Sequence, residues 1–524
     1  MRLCIVGIGG CGGHLAERFL QNQDVALLNR SLGEHVSFGG VKGLWLEADV
    51  QETQNQKFFG SLDNGCYPGF FIPHDVIGTE SKTSKLIVDR YGYDVKKQGF
   101  MRQAEFLKAV FEIFGSDGEV KRAALSEYDS ENPILRGAWD KIRGYTTLAA
   151  LKGNSGSEMC DGILFIVSLG GGTGTGFVNP ITRYIRGERP AYPVFVLGVL
   201  TEEGTDPQQR AKEPKRAMGA TISLYDLMTK KVGVGVDGIV LVDNQIMVEK
   251  FGQDYSAIDD FIHQAMRPFV AGRHYPGEDP PSLAMREKFI EGLDRPPILV
   301  PCCWREKRKK DPEDDLAKRA LTEGRLFGCD PGKADRAYVF TRGFVDQKGI
   351  VSAVARHSGI PAGRIEPWRK LGENHANEIL ILLRNPYGEE RGCEVKGTLE
   401  HRLHRVIRMA LRYMDDPETN LVSQGMPELT KKAIEDYFYG EDGIRKRFED
   451  ALLKIENGER PFFLEERNIF ERSIRESHPQ QIQQTGRKVD EDEVRKIVEE
   501  EVRRALAERG FGAGGDPKRT LQEG

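Results

Sequence analysis

Near the middle of the chain, seven consecutive residues combine glycine with hydroxyl side chains in a pattern suited to holding phosphate. The apolar run 162–167 before them predicts a buried strand, and the segment 177–185 after them predicts a helix. Glycine lets backbone N–H groups approach an anion, and a helix N-terminus adds its positive end. A flexible turn in which glycine serves only packing is the alternative. The residues are Gly170, Gly171, Gly172, Thr173, Gly174, Thr175 and Gly176.

A second glycine-rich loop follows the predicted first strand, residues 2–6, and precedes a predicted helix over 14–20. Its sequence GIGGCG matches the GxGxxG pattern of dinucleotide-binding Rossmann domains. That fold requires an acidic residue about 20 positions further on, to bind the ribose. Here the predicted second strand, 25–28, is followed by Asn29 and Arg30, neither of which is acidic. Arg30 is compatible with an NADP-type site, so the Rossmann hypothesis remains possible only in that form. The loop contains Gly7, Gly9, Gly10, Cys11, Gly12 and Gly13.

Two carboxylates end the strand predicted within residues 41–52. Glu47 and Asp49 are separated by one residue, and a carboxylate pair near a phosphate loop can hold a hydrated Mg²⁺. Asp49 is the candidate metal ligand. The alternative is that both side chains simply face solvent, as acidic residues at strand ends commonly do.

The bulk composition bounds the class of protein. A chain of 524 residues predicts two or three domains, and a net charge of -5 with a pI near 6.2 argues against general nucleic-acid binding. No apolar run approaches the roughly 18 residues of a membrane span, and a strand directly after Met1 leaves no room for a signal peptide. We therefore expect a cytoplasmic protein. Its eight cysteines lack CxxC pairs and are expected to be reduced thiols.

Strands and helices alternate around the glycine loops. Strands are predicted at 192–200 and 238–242, with helices at 217–228 and from 245 to about 270. This alternation predicts an α/β fold with a Rossmann-like, mostly parallel sheet and helices on both faces. Two glycine loops in one such sheet are more than a dinucleotide-binding domain needs.

The order of these motifs resembles the tubulin/FtsZ superfamily of self-assembling GTPases, including its prokaryotic FtsZ-like and CetZ-like members. The run GGGTGTG at 170–176 matches the signature loop of that superfamily. The first phosphate loop is matched by Gly9, Gly10, Cys11 and Gly12, the acidic loop by Glu47 and Asp49, the third loop by 93–99 with Gly99, and the ribose loop by Glu213 with Pro214.

The resemblance implies binding of GTP or GDP with Mg²⁺. The run VDNQ at 242–245 resembles the tubulin segment whose asparagine reads the base, which here is Asn244. Tyr255 and Asp259 are four residues apart, on one helical face, as expected for a ring that stacks on guanine and a group that reads its edge. A carboxylate can accept the N1 and N2 hydrogens of guanine, whereas adenine has no N1 hydrogen.

The resemblance also implies head-to-tail assembly of the protein with itself, with GTP hydrolysed between successive subunits. The loop that supplies the catalytic carboxylate corresponds to residues 282–297. Lys288 occupies the expected catalytic position, and Glu287, or failing it Glu291, is the candidate catalytic acid. The alternatives are a GTP-binding scaffold or regulator that neither hydrolyses nor polymerises and, more remotely, an NADP-dependent oxidoreductase.

The domain organisation follows from these matches and from local composition. The amphipathic helix predicted near the C-terminus either docks on its own chain or binds a partner protein. The predicted parts are a GTP-binding domain (1–245, with an insertion at 116–160), the central helix and catalytic loop (246–300), a second α+β domain (301–420), extra C-terminal helices (421–472), a linker (473–488), the amphipathic helix (489–510) and a disordered tail (511–524).

Overall fold

The architecture comes from a computed structural model in which the chain divides into two units, Met1–Phe463 and Leu464–Gly524. All described residues belong to the first unit, so the predicted linker, amphipathic helix and tail lie outside them. The described residues are 3–21, 42–46, 69–72, 133–143, 162–202, 207–270, 282–306, 312–343, 345–370, 377–387, 394–415, 438–441 and 443–459.

Ten strands form one sheet in the order β3-β2-β1-β4-β5-β6-β7-β10-β8-β9. Strands β1 to β7 run parallel to one another, while β10 is antiparallel to both β7 and β8. The predicted α/β class with a mostly parallel sheet is confirmed. The strands are β1 (Leu3–Ile8), β2 (Lys42–Leu46), β3 (Gly69–Ile72), β4 (Gly162–Ser168), β5 (Val194–Leu200), β6 (Gly238–Asp243), β7 (Ile298–Arg305), β8 (Arg336–Arg342), β9 (Ile365–Lys370) and β10 (Glu378–Arg384).

Eleven α-helices accompany the sheet in the described residues, and none of these is long and apolar enough to cross a membrane. They are α1 (Gly9–Gln21), α2 (Pro133–Arg143), α3 (Gly172–Glu188), α4 (Pro207–Thr229), α5 (Asn244–Phe251), α6 (Tyr255–Val270), α7 (Ser282–Ile290), α8 (Glu313–Thr322), α9 (Gln347–Ser358), α10 (Leu399–Asp415) and α11 (Ile444–Glu456).

The helices cover both faces of the sheet because its strands alternate their apolar side chains between two cores. In β1, Cys4 and Val6 pack into one core with helices α2, α3, α4 and α8 to α11. Leu3 and Ile5 point to the opposite core, with helices α1, α5, α6 and α7. Alternation with a period of two residues follows from the strand pleat. A sheet buried on both faces is expected for parallel strands.

The order of strands reverses between β1 and β4. From β1 the chain continues outward to β2 and β3, whereas from β4 it continues in the other direction to β5, β6 and β7. β1 and β4 are parallel neighbours paired from Leu3↔Gly162 to Ile8↔Val167. Their carboxyl ends therefore lie side by side, and in open α/β sheets this switch point forms the usual ligand crevice.

Several element boundaries differ from those predicted from the sequence. Helices α1 and α3 begin at Gly9 and Gly172, within the glycine runs, rather than at 14 and 177. The segment 282–297, predicted to be a loop, begins with helix α7. The predicted strand 25–28, with Asn29 and Arg30, lies outside the described residues. The boundary of a second domain at 301 stays a prediction, and β7 to β10 extend the same sheet.

An ion pair at the amino ends of β5 and β6 connects three elements. Asp237 is fully buried and accepts hydrogen bonds from Arg186 Nη2 at 2.5 Å, Arg286 Nε at 2.8 Å and the Val194 N–H at 2.8 Å. Arg186 belongs to α3 and Arg286 to α7. Burial lowers the pKa of Arg186 from its ordinary value, and the charge of Asp237 opposes this effect. Asp237 thus holds the end of α3 and the whole of α7 against the sheet.

Replacing Asp237 with alanine should strongly destabilise the fold, because it leaves the Arg186 guanidinium buried without its carboxylate. The expected loss is about 3–5 kcal/mol in the free energy of unfolding, measured by urea denaturation. Asp294→Ala is the control, since Asp294 is 59% exposed, and its expected change is within about 0.5 kcal/mol. Equal effects of the two substitutions would contradict this role of Asp237.

Candidate functional site

The first glycine loop lies at the carboxyl end of β1 and forms the start of α1. A Cβ atom on Gly12 would lie 2.2 Å from the carbonyl oxygen of Ile166 in β4, so only glycine fits there. Gly12 thus lets the first turn of α1 lie directly against β4. Its role is packing, and it brings the backbone of Gly10 and Cys11 to the switch point.

The second glycine loop lies at the carboxyl end of β4. A Cβ atom on Gly170 would lie 2.1 Å from Cγ2 of Thr201, which connects this loop to the end of β5. The helix cap is Gly171, and no side chain caps the helix or places an acidic group in its first turn. The first N–H groups of α3 are therefore available to an anion. The side chains of Thr173 and Thr175 lie outside what the structure describes.

Beside the loops, a carboxylate that the sequence did not single out receives several hydrogen bonds. Glu202 accepts from Asn244 Nδ2 at 2.5 Å and from the Tyr255 hydroxyl at 3.2 Å, and it pairs with Arg216 at 3.1 Å. Burial opposes its ionisation, but these hydrogen bonds and the Arg216 charge outweigh it, so the pKa of Glu202 lies below its ordinary value. Glu202 is ionised at neutral pH and holds Asn244 and Tyr255 together.

Asp259 lies one turn along α6 from Tyr255, close to the first glycine loop. Burial raises the pKa of Asp259 to about 6, despite the opposing charges of His14 and Arg18. The Cys11 thiol reaches solvent, but surrounding protein atoms desolvate it, and this effect, together with Asp259 and Glu202, raises the pKa of the thiol. Cys11 is thus a neutral thiol close to both carboxylates, not a reactive thiolate.

Helix α1 is attached directly to α6, which fixes the distance between the loop and these carboxylates. Arg18 Nη2 donates to the Ser256 hydroxyl at 2.6 Å, and Arg18 pairs with Asp260 at 3.5 Å. The rings of Phe19 and His263 meet edge to face, with centroids 4.9 Å apart. The first glycine loop therefore lies beside Glu202, Asn244, Tyr255 and Asp259, and these four residues make up the candidate recess for a ligand.

Glu287 and Glu291 lie at the amino ends of the parallel strands, opposite the glycine loops. Helix α7 packs at the amino ends of β5 and β6, with Phe289 and Phe195 5.6 Å apart between ring centroids and with Arg286 bound to Asp237. The seven residues of β4, at about 3.3 Å each, put about 20 Å between the two ends of the strands. Neither carboxylate can reach the glycine loops of its own chain.

The two candidate acids on α7 have different surroundings. Glu287 is exposed, and no ion pair connects it to another described residue. Glu291 pairs with Arg336 at 2.9 Å and with Lys288 at 3.8 Å, and Lys288 also pairs with Glu366 at 3.7 Å. Of the two, Glu287 is therefore the carboxylate that remains available to another molecule.

Some of the residues predicted for the site cannot be placed. Glu47, Asp49 and Gly99 lie outside the described residues, and so does the side chain of Glu213, whose backbone belongs to α4. No group of three potential metal ligands occurs among the residues that are described. The Mg²⁺ ligand Asp49 thus stays a prediction.

Glu202 is the member of the site that sequence reasoning missed. A signal was present, because Glu202 directly follows the apolar strand β5, and ligand sites of parallel sheets gather at the carboxyl ends of strands. It lies in a charged segment, however, where a single glutamate is not distinguished from solvated neighbours. Its role appears only when Asn244, 42 residues later, is brought into contact with it.

Comparison with protein-family models and with curated proteins finds no match for this chain. Solved structures with a similar fold include CetZ from Methanosaeta thermophila strain DSM 6194, at 14% identity and a TM-score of 0.49, covering 80% of this chain and 95% of that one. CetZ2 from Haloferax volcanii, a GTPgS-bound protofilament, has 18% identity and a TM-score of 0.48, covering 79% and 100%. CetZ1 from Haloferax volcanii, a GDP-bound monomer, has 15% identity and a TM-score of 0.49, covering 79% and 100%. At such identities the similarity concerns the fold alone.

Replacing Asp259 with asparagine should stabilise the ligand-free chain at neutral pH. An exposed aspartate has a pKa of about 3.9, so the folded chain, with a pKa of about 6 at this site, binds the proton more tightly and loses stability as the pH rises between these values. The gain from Asp259→Asn should grow across that window and level off above it, at about 3 kcal/mol.

Thermal and urea unfolding over the same pH range measure this gain. Asp254→Asn is the matched control, since Asp254 is exposed and caps α6 through a hydrogen bond from the Ala257 N–H that asparagine can also accept. A gain that does not depend on pH would show that Asp259 is not held in an unfavourable ionised form.

Proposed function

We propose that this chain is a GTP-binding protein of the tubulin/FtsZ type that assembles with copies of itself. The observation that carries the proposal is the pair of glycine loops, 9–13 and 170–176, at the adjacent carboxyl ends of β1 and β4. One such loop is common to many nucleotide-binding folds. Two loops that meet at a switch point, one leading into a helix without a side-chain cap, can surround the phosphates of one nucleotide.

The recess beside the loops supports guanine as the base. The Tyr255 ring, which is 45% exposed, can cover the face of the base, and Asn244 can donate to O6. The ionised Asp259 carboxylate accepts the N1 and N2 hydrogens together. Because the pKa of Asp259 is about 6, the carboxylate is ionised at neutral pH but protonated in mild acid. Glu202 can accept a further hydrogen bond from the base or sugar.

The remaining contacts of the nucleotide are assigned from the sequence resemblance. Backbone N–H groups of the two loops would hold the phosphates, Glu213 the ribose, and Asp49 the Mg²⁺ ion that accompanies them, with Glu47 and Gly99 nearby. Mg²⁺ neutralises phosphate charge when bound. The side chains of these residues lie outside the part of the chain that the structure describes.

The separation of Glu287 from the loops supports the proposal of self-assembly. A carboxylate about 20 Å from the phosphates of its own chain can act on those of a second copy stacked head to tail. Glu287 is exposed at the end of the sheet opposite the loops, as such stacking requires. In this proposal Glu287 orients the attacking water, and hydrolysis needs two subunits.

A scaffold that binds GTP without hydrolysing it is the second candidate. The observation in its favour is Lys288, which stands where the resemblance expects a carboxylate and forms ion pairs with Glu291 and Glu366. Turnover per subunit distinguishes the two candidates. It rises with protein concentration for a site shared between subunits and is absent for a scaffold.

GTP binding should weaken as the pH falls through about 6, because protonated Asp259 can no longer accept both hydrogens of guanine. We expect an increase in Kd of about tenfold between pH 7 and pH 5, measured by titration calorimetry with GTP and ATP. Asp259→Asn should remove both the pH dependence and the preference for GTP.

Asp254→Asn is again the control and should leave the Kd values and their pH dependence unchanged. Equal affinity of the unmodified chain for GTP and ATP would rule out the guanine site. A preference for GTP that persists in Asp259→Asn would instead assign base recognition to other residues.

Glu287→Gln should lower GTP turnover about 100-fold while leaving the Kd for GTP unchanged, because Glu287 lies outside its own nucleotide site. Assembled filaments should then persist, as judged by sedimentation and electron microscopy with GTP. Glu291→Gln is the matched control on the same helix and should retain turnover, since Glu291 is engaged by Arg336. Turnover that falls only in Glu291→Gln would transfer the catalytic role to Glu291.

A further inference from the structure

A single arginine of helix α10 reaches the ends of two strands beside the nucleotide recess. Arg402 Nε donates to Asp243 Oδ2 at 2.9 Å, and Arg402 Nη2 donates to the carbonyl oxygen of Thr201. The side chains of Arg402 and Asp243 are 8% and 4% exposed. The guanidinium thus connects the carboxyl ends of β5 and β6 from outside the sheet.

Each partner of Arg402 directly precedes a residue of the recess. Thr201 is followed by Glu202 and Asp243 by Asn244, and these two side chains form the 2.5 Å hydrogen bond described above. The second oxygen of Asp243 accepts from the Gln245 N–H at 3.0 Å and so caps helix α5. The pairing of β5 with β6 extends to Leu200↔Asp243, and Arg402 adds a further connection between the backbones that present Glu202 and Asn244.

Helix α10 also packs through a continuous apolar face that is buried in the core, and this burial stabilises the docked helix alongside the guanidinium. A methionine or leucine at position 402 would extend the same face. Apolar packing alone therefore does not explain a charged group at this position that contacts Asp243 and Thr201. The apolar residues are Leu399, Leu403, Val406, Ile407, Ala410 and Met414.

We propose that Arg402 is a positioning residue for base selectivity. The inference rests on the proposed function, because it assumes that Asn244 reads a base. Guanidinium is planar and donates in two fixed directions, so it can hold a carboxylate and a carbonyl at a set separation, whereas a lysine ammonium is a point charge. A shift of Glu202 against Asn244 changes which base edge the amide can meet.

The test compares the unmodified chain with the double variant Arg402→Met, Asp243→Asn. Removing both charges avoids leaving an unpaired carboxylate in the interior, and asparagine still caps α5. Titration calorimetry measures the Kd for GTP and for ATP. We expect the ratio of the Kd for ATP to the Kd for GTP to fall about tenfold, mainly through weaker binding of GTP.

Two further variants separate positioning from general stability. Arg408→Met changes an exposed arginine of the same helix and should leave the ratio and the melting temperature unchanged. Arg402→Lys keeps the charge pair with Asp243 but not both hydrogen bonds, and should lower the ratio at an unchanged melting temperature. If the double variant does not fold, Arg402→Lys decides by the same ratio.

The possible outcomes distinguish the inference from the function on which it rests. If the unmodified chain binds GTP and ATP equally, the proposed function fails. If it prefers GTP and the variants at position 402 keep the same ratio, the positioning role is overturned, whether or not both affinities decrease. A lowered ratio in these variants, with Arg408→Met unchanged, supports it.

Discussion

The reversal of strand order between β1 and β4 is the constraint on which the candidate site depends. Parallel strands end on the same side of the sheet, and at a reversal the chain leaves the two neighbouring strand ends in opposite directions. Both glycine loops therefore open into one crevice. The close approach of Gly12 to the Ile166 carbonyl shows how tightly α1 must lie on β4 for this to happen.

The recess beside that crevice is organised by ionised carboxylates held in different ways. Glu202 is stabilised in its charged form by Asn244, Tyr255 and Arg216, so it fixes the geometry at any physiological pH. Asp259 has fewer partners and is destabilised by burial. A carboxylate that lacks partners in the free chain is suited to bind hydrogen donors of a ligand, at a cost in stability.

The two ends of the parallel sheet have separate roles in this arrangement. One end carries the glycine loops and the recess, and α10 reaches that end through Arg402. At the other end, the buried Asp237 holds α7 and thereby directs Glu287 outward. Because strands of six or seven residues separate the ends, a reaction that uses both requires two molecules.

The sequence by itself determined the α/β class and strands β1, β4, β5 and β6, because apolar period is a local property of the chain. The roles of the glycine loops and of Asn244, Tyr255 and Asp259 came from a resemblance in motif order and stay predictions. The sequence placed the starts of α1 and α3 too late, because glycine has a low helix propensity. In the fold, packing on β4 stabilises the first turns despite their glycines. Only the tertiary structure decided the roles of Glu202, Asp237 and Arg402. The contacts of Glu202 with Asn244, of Asp237 with Arg186 and of Arg402 with Thr201 join residues 42, 51 and 201 positions apart, and no local pattern records a contact between distant segments.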